Sequence, residues 1–413
     1  MYNQEQVKEA TLEYFNGDEL ATNVFMTKYC LRDKKGNFVE KTPEDMHRRM
    51  AAEFARMEDK FITRKSNHLT EENIYSYLKD FKYIVPQGSP MMGIGNDYVN
   101  VSLSNCVVVD NPQDSVSSIM DAGKDLANLF KRRCGVGLDI SDLRPEGAPV
   151  NNSARTTTGA WSFADFYSYV CRMIGQNGRR GALMISMDIR HPDIEQFVKM
   201  KQDLTKVTGA NVSVKITDEF MEAVQDNGTF TLQFPVEAEN PDYVSQVDAA
   251  ALWAEIVSSA TTTAEPGLLM WDNITKNLPA HEYAEFKTKT TNPCGEIPLS
   301  AYDSCRLISL NLKHLVNNPF TPEASFDFAK FQFGKIDDIF GGAMGSIEDA
   351  IVQGIEKGLV GAFKGVLKNV MKSMNLDMPD LRNPDFGGLS MNDLLDASPG
   401  TSADNVANLT LPK

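Results

Sequence analysis

The chain has 413 residues, 42% hydrophobic and 23% charged, which excludes disorder over most of its length and leaves room for two or three domains or one large α/β domain. A net charge of −15 and a pI near 4.9 exclude a broad nucleic-acid-binding face, although small anions can still find local basic pockets. No apolar run reaches the roughly 18–20 residues that span a bilayer, and the start MYNQEQVKEATLEYF lacks a signal-peptide core, so a cytoplasmic protein with no membrane partner is expected.

Residues 1–82 read as a helical lead-in. Thr42-Pro43-Glu44-Asp45-Met46 is a helix start with acids in its first turn, and Thr70-Glu71-Glu72 opens a helix that runs into Ile74, Tyr77 and Leu78. From 83 to 333 short β-rich runs alternate with helices. Strands are expected at 99–109, 136–140, 183–189, 212–216 and 229–233, and helices at 115–132, 162–174, 192–200, 218–225 and 249–263. Asp114-Ser115 and His191-Pro192-Asp193 read as helix caps. Such alternation points to an α/β barrel or a doubly wound sheet.

Residues 334–413 have a different texture. From 335 onward they hold 10 of the 28 glycines and no cysteine, tryptophan or tyrosine. Apolar residues from Ile336 through Ile347, Ile351, Ile355, Leu359 and Phe363 to Val370 form a long helical stripe, with acids early and lysines late. Gly354-x-x-x-Gly358 and Gly361-x-x-x-Gly365 on this stripe suit close helix packing, a face lying on a membrane surface, or a helix covering a barrel edge. Beyond Asn375 the composition is that of a flexible tail.

Six cysteines (Cys30, Cys106, Cys134, Cys171, Cys294 and Cys305) are scattered without a CxxC pair, so chemistry is a better explanation for them than a structural disulfide or a zinc ribbon. Five dispersed histidines give no metal constellation. The most informative segment is Thr290-Thr291-Asn292-Pro293-Cys294-Gly295-Glu296-Ile297-Pro298-Leu299, followed by Asp303-Ser304-Cys305-Arg306-Leu307-Ile308-Ser309-Leu310-Asn311-Leu312. Asn292, Cys294 and Glu296 stand at i, i+2 and i+4. On an extended or hairpin-tip backbone they share a side, bringing together a hydrogen-bond anchor, a sulfur reagent and an acid/base. The plain alternative is a tight Pro/Gly turn whose cysteine packs inward and whose glutamate is solvated.

This pattern resembles the finger-loop region of the ribonucleotide reductase catalytic subunit, most nearly the class II, adenosylcobalamin-dependent type. Other segments resemble the family in the same order. They are Ala21-Thr22-Asn23-Val24-Phe25, Tyr29-Cys30-Leu31-Arg32-Asp33, Lys41-Thr42-Pro43-Glu44-Asp45-Met46, Pro86-Gln87-Gly88-Ser89-Pro90 and Ser102-Leu103-Ser104-Asn105-Cys106. Arg133-Cys134-Gly135-Val136-Gly137-Leu138, Arg179-Arg180-Gly181-Ala182 and His191-Pro192-Asp193-Ile194 follow. The resemblance runs over about residues 20–315.

It implies a partial ten-stranded α/β barrel and ribonucleotide reduction to 2′-deoxyribonucleotides. By resemblance Cys294 is the thiyl radical that takes the 3′-hydrogen, Glu296 the base on the 3′-hydroxyl, and Asn292 the holder of the ribose hydroxyls. Cys106 and Cys305, 199 residues apart, would be the redox pair that supplies two electrons as water leaves C2′. Ser89 and Ser104 fall where the family contacts substrate. Asp114 reads as an N-cap and also falls where the family binds an allosteric nucleotide (dNTP or ATP) at a subunit interface. The loops 141–153 and 201–211 resemble the two that pass effector identity to the substrate pocket. Cys30, Cys134 and Cys171 match no redox position and read as packed cysteines, and His191 as structural.

The implied cofactor is adenosylcobalamin, the alternative being a radical supplied by a separate metal-containing subunit. Implied partners are the ribonucleotide, the nucleotide effector, an external thiol reductant and, as one assembly, a homodimer. The recognisable sequence stops near Phe331, before the family's second half-barrel. The first expectation is therefore the N-terminal part of a split reductase completed by a second polypeptide. The alternative is an inactive fragment serving as an interaction or assembly protein through its helical tail.

Overall fold

The computed structural model describes residues 1–61, 68–174, 181–318, 321 and 324–326. The chain divides into two units, Met1–Asp327 and Phe328–Lys413. The helical stripe and tail read from the sequence, like Arg179 and Arg180, lie outside the described residues.

The lead-in consists of α1 (Gln4–Tyr14), α2 (Glu19–Lys28), α3 (Pro43–Glu58) and α4 (Glu71–Leu78). Each start is fixed by local chemistry. Asn3 and Gln6 cap α1 reciprocally, Asp18 accepts from the Ala21 N–H, and Thr70 exchanges bonds with Asn73. Asp45 Oδ2 reaches back to the N–H of Thr42 at 3.2 Å, one residue before Pro43 opens α3. Val7, Phe25, Met26, Met46, Met50 and Leu78 meet in a core that also takes in Ile84 and Met91 from β1 (Ile84–Pro86) and α5 (Gly88–Gly93).

His47 lies in this core, fully buried, its ring edge-on to Phe81 at 4.6 Å and both ring nitrogens without a partner among the described residues. Burial pulls its pKa from 6.5 to about 4, with Asp80 opposing the shift. The unfolded chain takes up a proton near pH 6.5 that the folded chain refuses. Stability from this site is therefore whole above pH 6.5 and lost as pH falls toward 4, by up to about 3 kcal/mol. In urea titrations at pH 7.5 and 4.5, His47→Leu should lose markedly less stability than the wild type. Parallel losses would refute the assignment.

The second half of the described chain is built on parallel strands. After β2 (Cys106–Val108) come α6 (Val116–Phe130), β3 (Gly135–Asp139), α7 (Ala160–Met173), β4 (Leu183–Asp188), α8 (Ile194–Lys199) and β5 (Asn211–Ile216). Then follow α9 (Asp218–Gln225), the strands β6 (Thr229–Phe234) and β7 (Tyr243–Asp248), α10 (Ala249–Thr263), β8 (Gly267–Met270) and α11 (Trp271–Lys276). A hairpin of β9 (Thr288–Thr291) and β10 (Pro298–Ser300) precedes β11 (Ile308–Leu310), which pairs antiparallel with β1.

One parallel sheet runs in the order β2-β3-β4-β5-β8, and β6 and β7 form a separate antiparallel pair. The fold is α/β, and among the described residues the sheet does not close into a barrel. Strand alternation explains its two faces. Val109, Val136, Leu138, Leu183, Ile185, Met187, Val212 and Val214 point to one side and pack with α6, α7, α8 and α10 in the main core. The opposite face carries the small or polar Cys106, Gly135, Gly137, Asp139, Ser186, Asp188, Ser213 and Lys215, together with the apolar Val108 and Met184.

Every expected strand and helix of this region has a counterpart, and α9 and α10 match to the residue. Three readings need correction. The strand expected at 99–109 shrinks to Cys106–Val108, because the Asn96 side chain accepts the N–H groups of Tyr98 and Val99 and turns that segment into a loop. Asp114 is not the cap of α6; Ser115 accepts from the Ser118 N–H, and Asp114 instead holds Arg144. Asp193 precedes α8 but makes no side-chain cap there, and its carboxylate takes the Ala160 N–H at 2.8 Å, the first of α7.

Candidate active site

The β9-β10 hairpin packs on the polar face of the sheet, against β2 and β3. Only glycine allows this approach: a Cβ built on Gly137 would stand 1.9 Å from the Thr291 carbonyl oxygen, and one on Gly135 would stand 3.0 Å from Pro293 Cγ. A buried polar chain ties the hairpin down. Lys215 Nζ pairs with Asp139 Oδ2 at 2.8 Å, Ser186 Oγ donates to the same oxygen at 2.6 Å, and Thr290 Oγ1 meets Ser186 Oγ at 2.7 Å. The sequence reading passed over this set. Its signal was a lysine and an aspartate inside otherwise buried strands, which demand partners.

The hairpin tip is a turn rather than an extended segment. The Gly295 N–H donates to Asn292 O at 3.0 Å, with Pro293 second in the turn and Gly295 at φ +90°. Asn292 is therefore fully buried, while Cys294 and Glu296 are exposed. Asn292 Oδ1 accepts the Ile297 N–H at 3.0 Å, which leaves its buried Nδ2 as a donor without a partner among the described residues. Such a donor suits a ligand hydroxyl. Glu296 lies close enough to Cys294 to help raise the thiol's pKa, after burial and ahead of Cys305.

Beside the tip, segment 302–305 runs antiparallel to β2. The Cys305 N–H donates to Cys106 O at 3.0 Å, the Val108 N–H to Asp303 O at 3.1 Å and the Tyr302 N–H to Val108 O at 2.7 Å. This strip brings Cys106 and Cys305 together from opposite ends of the barrel segment. Burial raises the Cys106 thiol strongly, then the neighbouring and hydrogen-bonded Cys305, then Cys294 and Cys134. All six cysteines are free thiols. Cys134 donates to Ser104 O at 3.4 Å and burial lifts it to about 11; Cys171 is likewise buried at about 11 and Cys30 at about 12. Thiols this high are poor nucleophiles.

Ser89 is buried at the start of α5. Its N–H donates to Asn105 Oδ1 at 2.8 Å and its hydroxyl to Arg133 O at 3.3 Å. Ser104 Oγ donates to Ser304 Oγ at 3.2 Å and accepts from Arg306 at 2.9 Å. Asp114 stands apart from these residues, bonded to Arg144 Nε at 2.7 Å. Loop 141–153 is anchored through Ser141 Oγ to the Asp188 N–H, and loop 201–211 through Lys201 to Glu265 and the Val207 and Ala210 carbonyls. His191 is held between Leu143 O and the Asp193 N–H, a structural place. Among the described residues no helix is long and apolar enough to cross a membrane.

Comparison with known proteins places the sequence in a family. Residues 104–334, more than half of the chain, match the family described as "Ribonucleotide reductase, barrel domain", and residues 15–97 match "Ribonucleotide reductase, all-alpha domain". The chain belongs to the ribonucleotide reductase large-subunit family. A vitamin B12-dependent ribonucleoside-diphosphate reductase of Mycobacterium tuberculosis (strain CDC 1551 / Oshkosh) is 30% identical over 333 residues, covering 80% of this chain and 45% of that protein. One of the same description from Thermoplasma acidophilum is 27% identical over 351 residues, 72% of this chain and 44% of that protein. The ribonucleoside-diphosphate reductase large subunit of Variola virus is 27% identical over 259 residues, 56% of this chain and 33% of its own length. The chain thus spans less than half the length of these relatives.

Proposed function

We propose that this chain carries the radical and redox half of a class II-like ribonucleotide reductase and works with a complementing subunit that supplies the second half of the barrel. The observation that supports it best is the meeting of Cys106 and Cys305 beside the Cys294 tip, since the proposed reaction needs those three thiols in one place. Cys294, as a thiyl radical, takes the 3′-hydrogen of the ribose. Glu296 removes the 3′-hydroxyl proton, and Asn292 Nδ2 donates to a ribose hydroxyl. Water leaves C2′ while Cys106 and Cys305 give two protons and two electrons and become a disulfide. Cys294 then returns its hydrogen to C3′. Ribonucleotide plus two thiols thus becomes deoxyribonucleotide, water and disulfide. Ser89 and Ser104 are proposed substrate contacts.

Adenosylcobalamin is the proposed cofactor, in keeping with the names of the relatives. The exposed Cys294 thiol fits it, because a radical source must reach that sulfur from outside the protein. When bound, the group supplies the one-electron oxidant for the thiol.

A homodimer is proposed through α6 and α7, where Val116 and Met120, and Tyr169 and Met173, stand one helical turn apart and exposed. Asp114 lies at the end of that face and is the proposed effector contact, through a nucleotide that would compete for Arg144.

The test is an anaerobic assay of the purified chain with adenosylcobalamin, dithiothreitol and ribonucleoside di- or triphosphates, with and without a separately expressed second half-barrel from a relative. Deoxynucleotide formed only with the second half supports the split enzyme. A folded chain with no product under either condition would favour the assembly-protein reading.

A further inference from the structure

The two segments that carry the redox pair are also joined by a guanidinium. Arg306 follows Cys305, and its Nη1 donates to Ser104 Oγ at 2.9 Å, to Ser304 O at 2.9 Å and to the Ser304 hydroxyl, with Cys305 O at 3.4 Å. Ser104 stands two residues before Cys106, and Ser304 one before Cys305. The cation therefore bridges the same strip of backbone that brings the two thiols together.

Every one of these partners is a neutral oxygen, and every bond runs through Nη1, while the side chain is exposed. An arginine on a surface usually roams or pairs with a carboxylate, and holding it still opposes the rotamer entropy of its long side chain. Among the described residues it is held still without being neutralised. Nε and Nη2 keep the fork that matches a carboxylate, in a chain whose net charge of −15 otherwise repels anions.

We infer that Arg306 docks the carboxylate of a small anionic dithiol that re-reduces the Cys106–Cys305 disulfide, an inference that rests on reading these two cysteines as the redox pair. Cys106 is the more accessible of the two sulfurs, Cys305 being buried. A thiolate of the reductant attacks Cys106 Sγ and forms a mixed disulfide. The Cys106–Cys305 bond breaks, and Cys305 leaves with the electron pair and takes up a proton. The reductant's second thiolate then attacks its own sulfur in the mixed disulfide, closing a cyclic disulfide and releasing Cys106, which takes the second proton. The dithiol loses two electrons and two protons, and the protein gains them.

The test uses the whole chain oxidised with diamide, which is then removed, with the Cys106–Cys305 cross-link checked by peptide mass spectrometry. Loss of the cross-link is timed with dihydrolipoate and with dihydrolipoamide, the same dithiol with and without the carboxylate. At low salt the wild type should favour dihydrolipoate by about tenfold, and high salt should erase the preference. Arg306→Gln should show none, and Arg306→Lys should keep part of it. An equal preference in wild type and Arg306→Gln overturns the docking role and leaves the redox pair standing. Failure to form the cross-link overturns the pair and the inference with it. If Arg306→Gln instead weakens nucleoside diphosphate binding and leaves the reductant ratio untouched, the guanidinium serves the substrate phosphate and the inference is wrong.

Discussion

Cys294→Ser should abolish turnover while leaving the melting temperature and nucleotide affinity essentially unchanged. The chemical ground is the bond that must break and reform. An S–H bond is weak enough to exchange a hydrogen atom with a ribose carbon in both directions, and an O–H bond is not. The stability half of the expectation comes from the turn. Cys294 is exposed, Gly295 carries the positive φ, and the hairpin is anchored through Thr290, Asn292 and Ile297 rather than through the thiol. Substitutions at exposed positions of this kind stay within about 0.5 kcal/mol.

The environment of Cys294 is also the right one for hydrogen-atom chemistry. Burial, Glu296 and Cys305 all raise its pKa, so at neutral pH the group keeps the hydrogen that the reaction needs. A nucleophilic cysteine would be pushed the other way. Alkylation by iodoacetamide at pH 7.5 should accordingly be slow for so exposed a thiol. Rapid alkylation, or turnover surviving in the serine variant, would refute the thiyl assignment. Gross unfolding of that variant would make Cys294 a packing residue.

How far the sequence could be read depended on whether an element's reason was local. Helices α9 and α10 were legible to the residue because Thr217 and Asp248 are side-chain caps and the apolar faces repeat helically. Strand β8 was missed: four residues, GLLM, directly after Pro266 are too few to show a period of their own, and only pairing with β5 makes them a strand. Strand β7 is mostly exposed and takes its place from β6 alone, so no buried pattern marked it. At Asp114 two adjacent capping residues competed, and an arginine thirty positions away decided between them. The candidate site residues came together as a set only through resemblance, because spacing alone put Asn292, Cys294 and Glu296 on one side of an extended or hairpin-tip backbone. The turn instead buries the amide and exposes the other two. Asp139, Lys215 and Ser186 carried no motif, and their roles are set by a hairpin that arrives from about a hundred residues away.

That hairpin's seat gives the other large expectation. Gly137→Ala should destabilise the chain by about 3 kcal/mol and reduce turnover far more than its distance from Cys294 would suggest. Gly137 has no positive φ, so alanine is acceptable to its own backbone; the obstacle is the Thr291 carbonyl oxygen 1.9 Å from the added methyl, with the Thr290 methyl at 3.3 Å. A carbonyl in a paired strand cannot rotate aside as a side chain would, so β9 itself has to move. Moving it pulls Thr290 from Ser186 and shifts Asn292, one residue beyond Thr291, relative to Cys106 on β2 and Cys305 beside it. Gly295→Ala is the contrasting case. Nothing lies within 4 Å of its added methyl, and only the φ of +90° resists, so it should cost stability through local strain without displacing the hairpin. Urea midpoints give the stability of both variants. The yield of the diamide-induced Cys106–Cys305 cross-link reports whether the strip beside the hairpin has moved, and it should fall in Gly137→Ala and hold in Gly295→Ala. A Gly137→Ala chain with wild-type midpoint, cross-link and turnover would mean that β9 does not rest on β3.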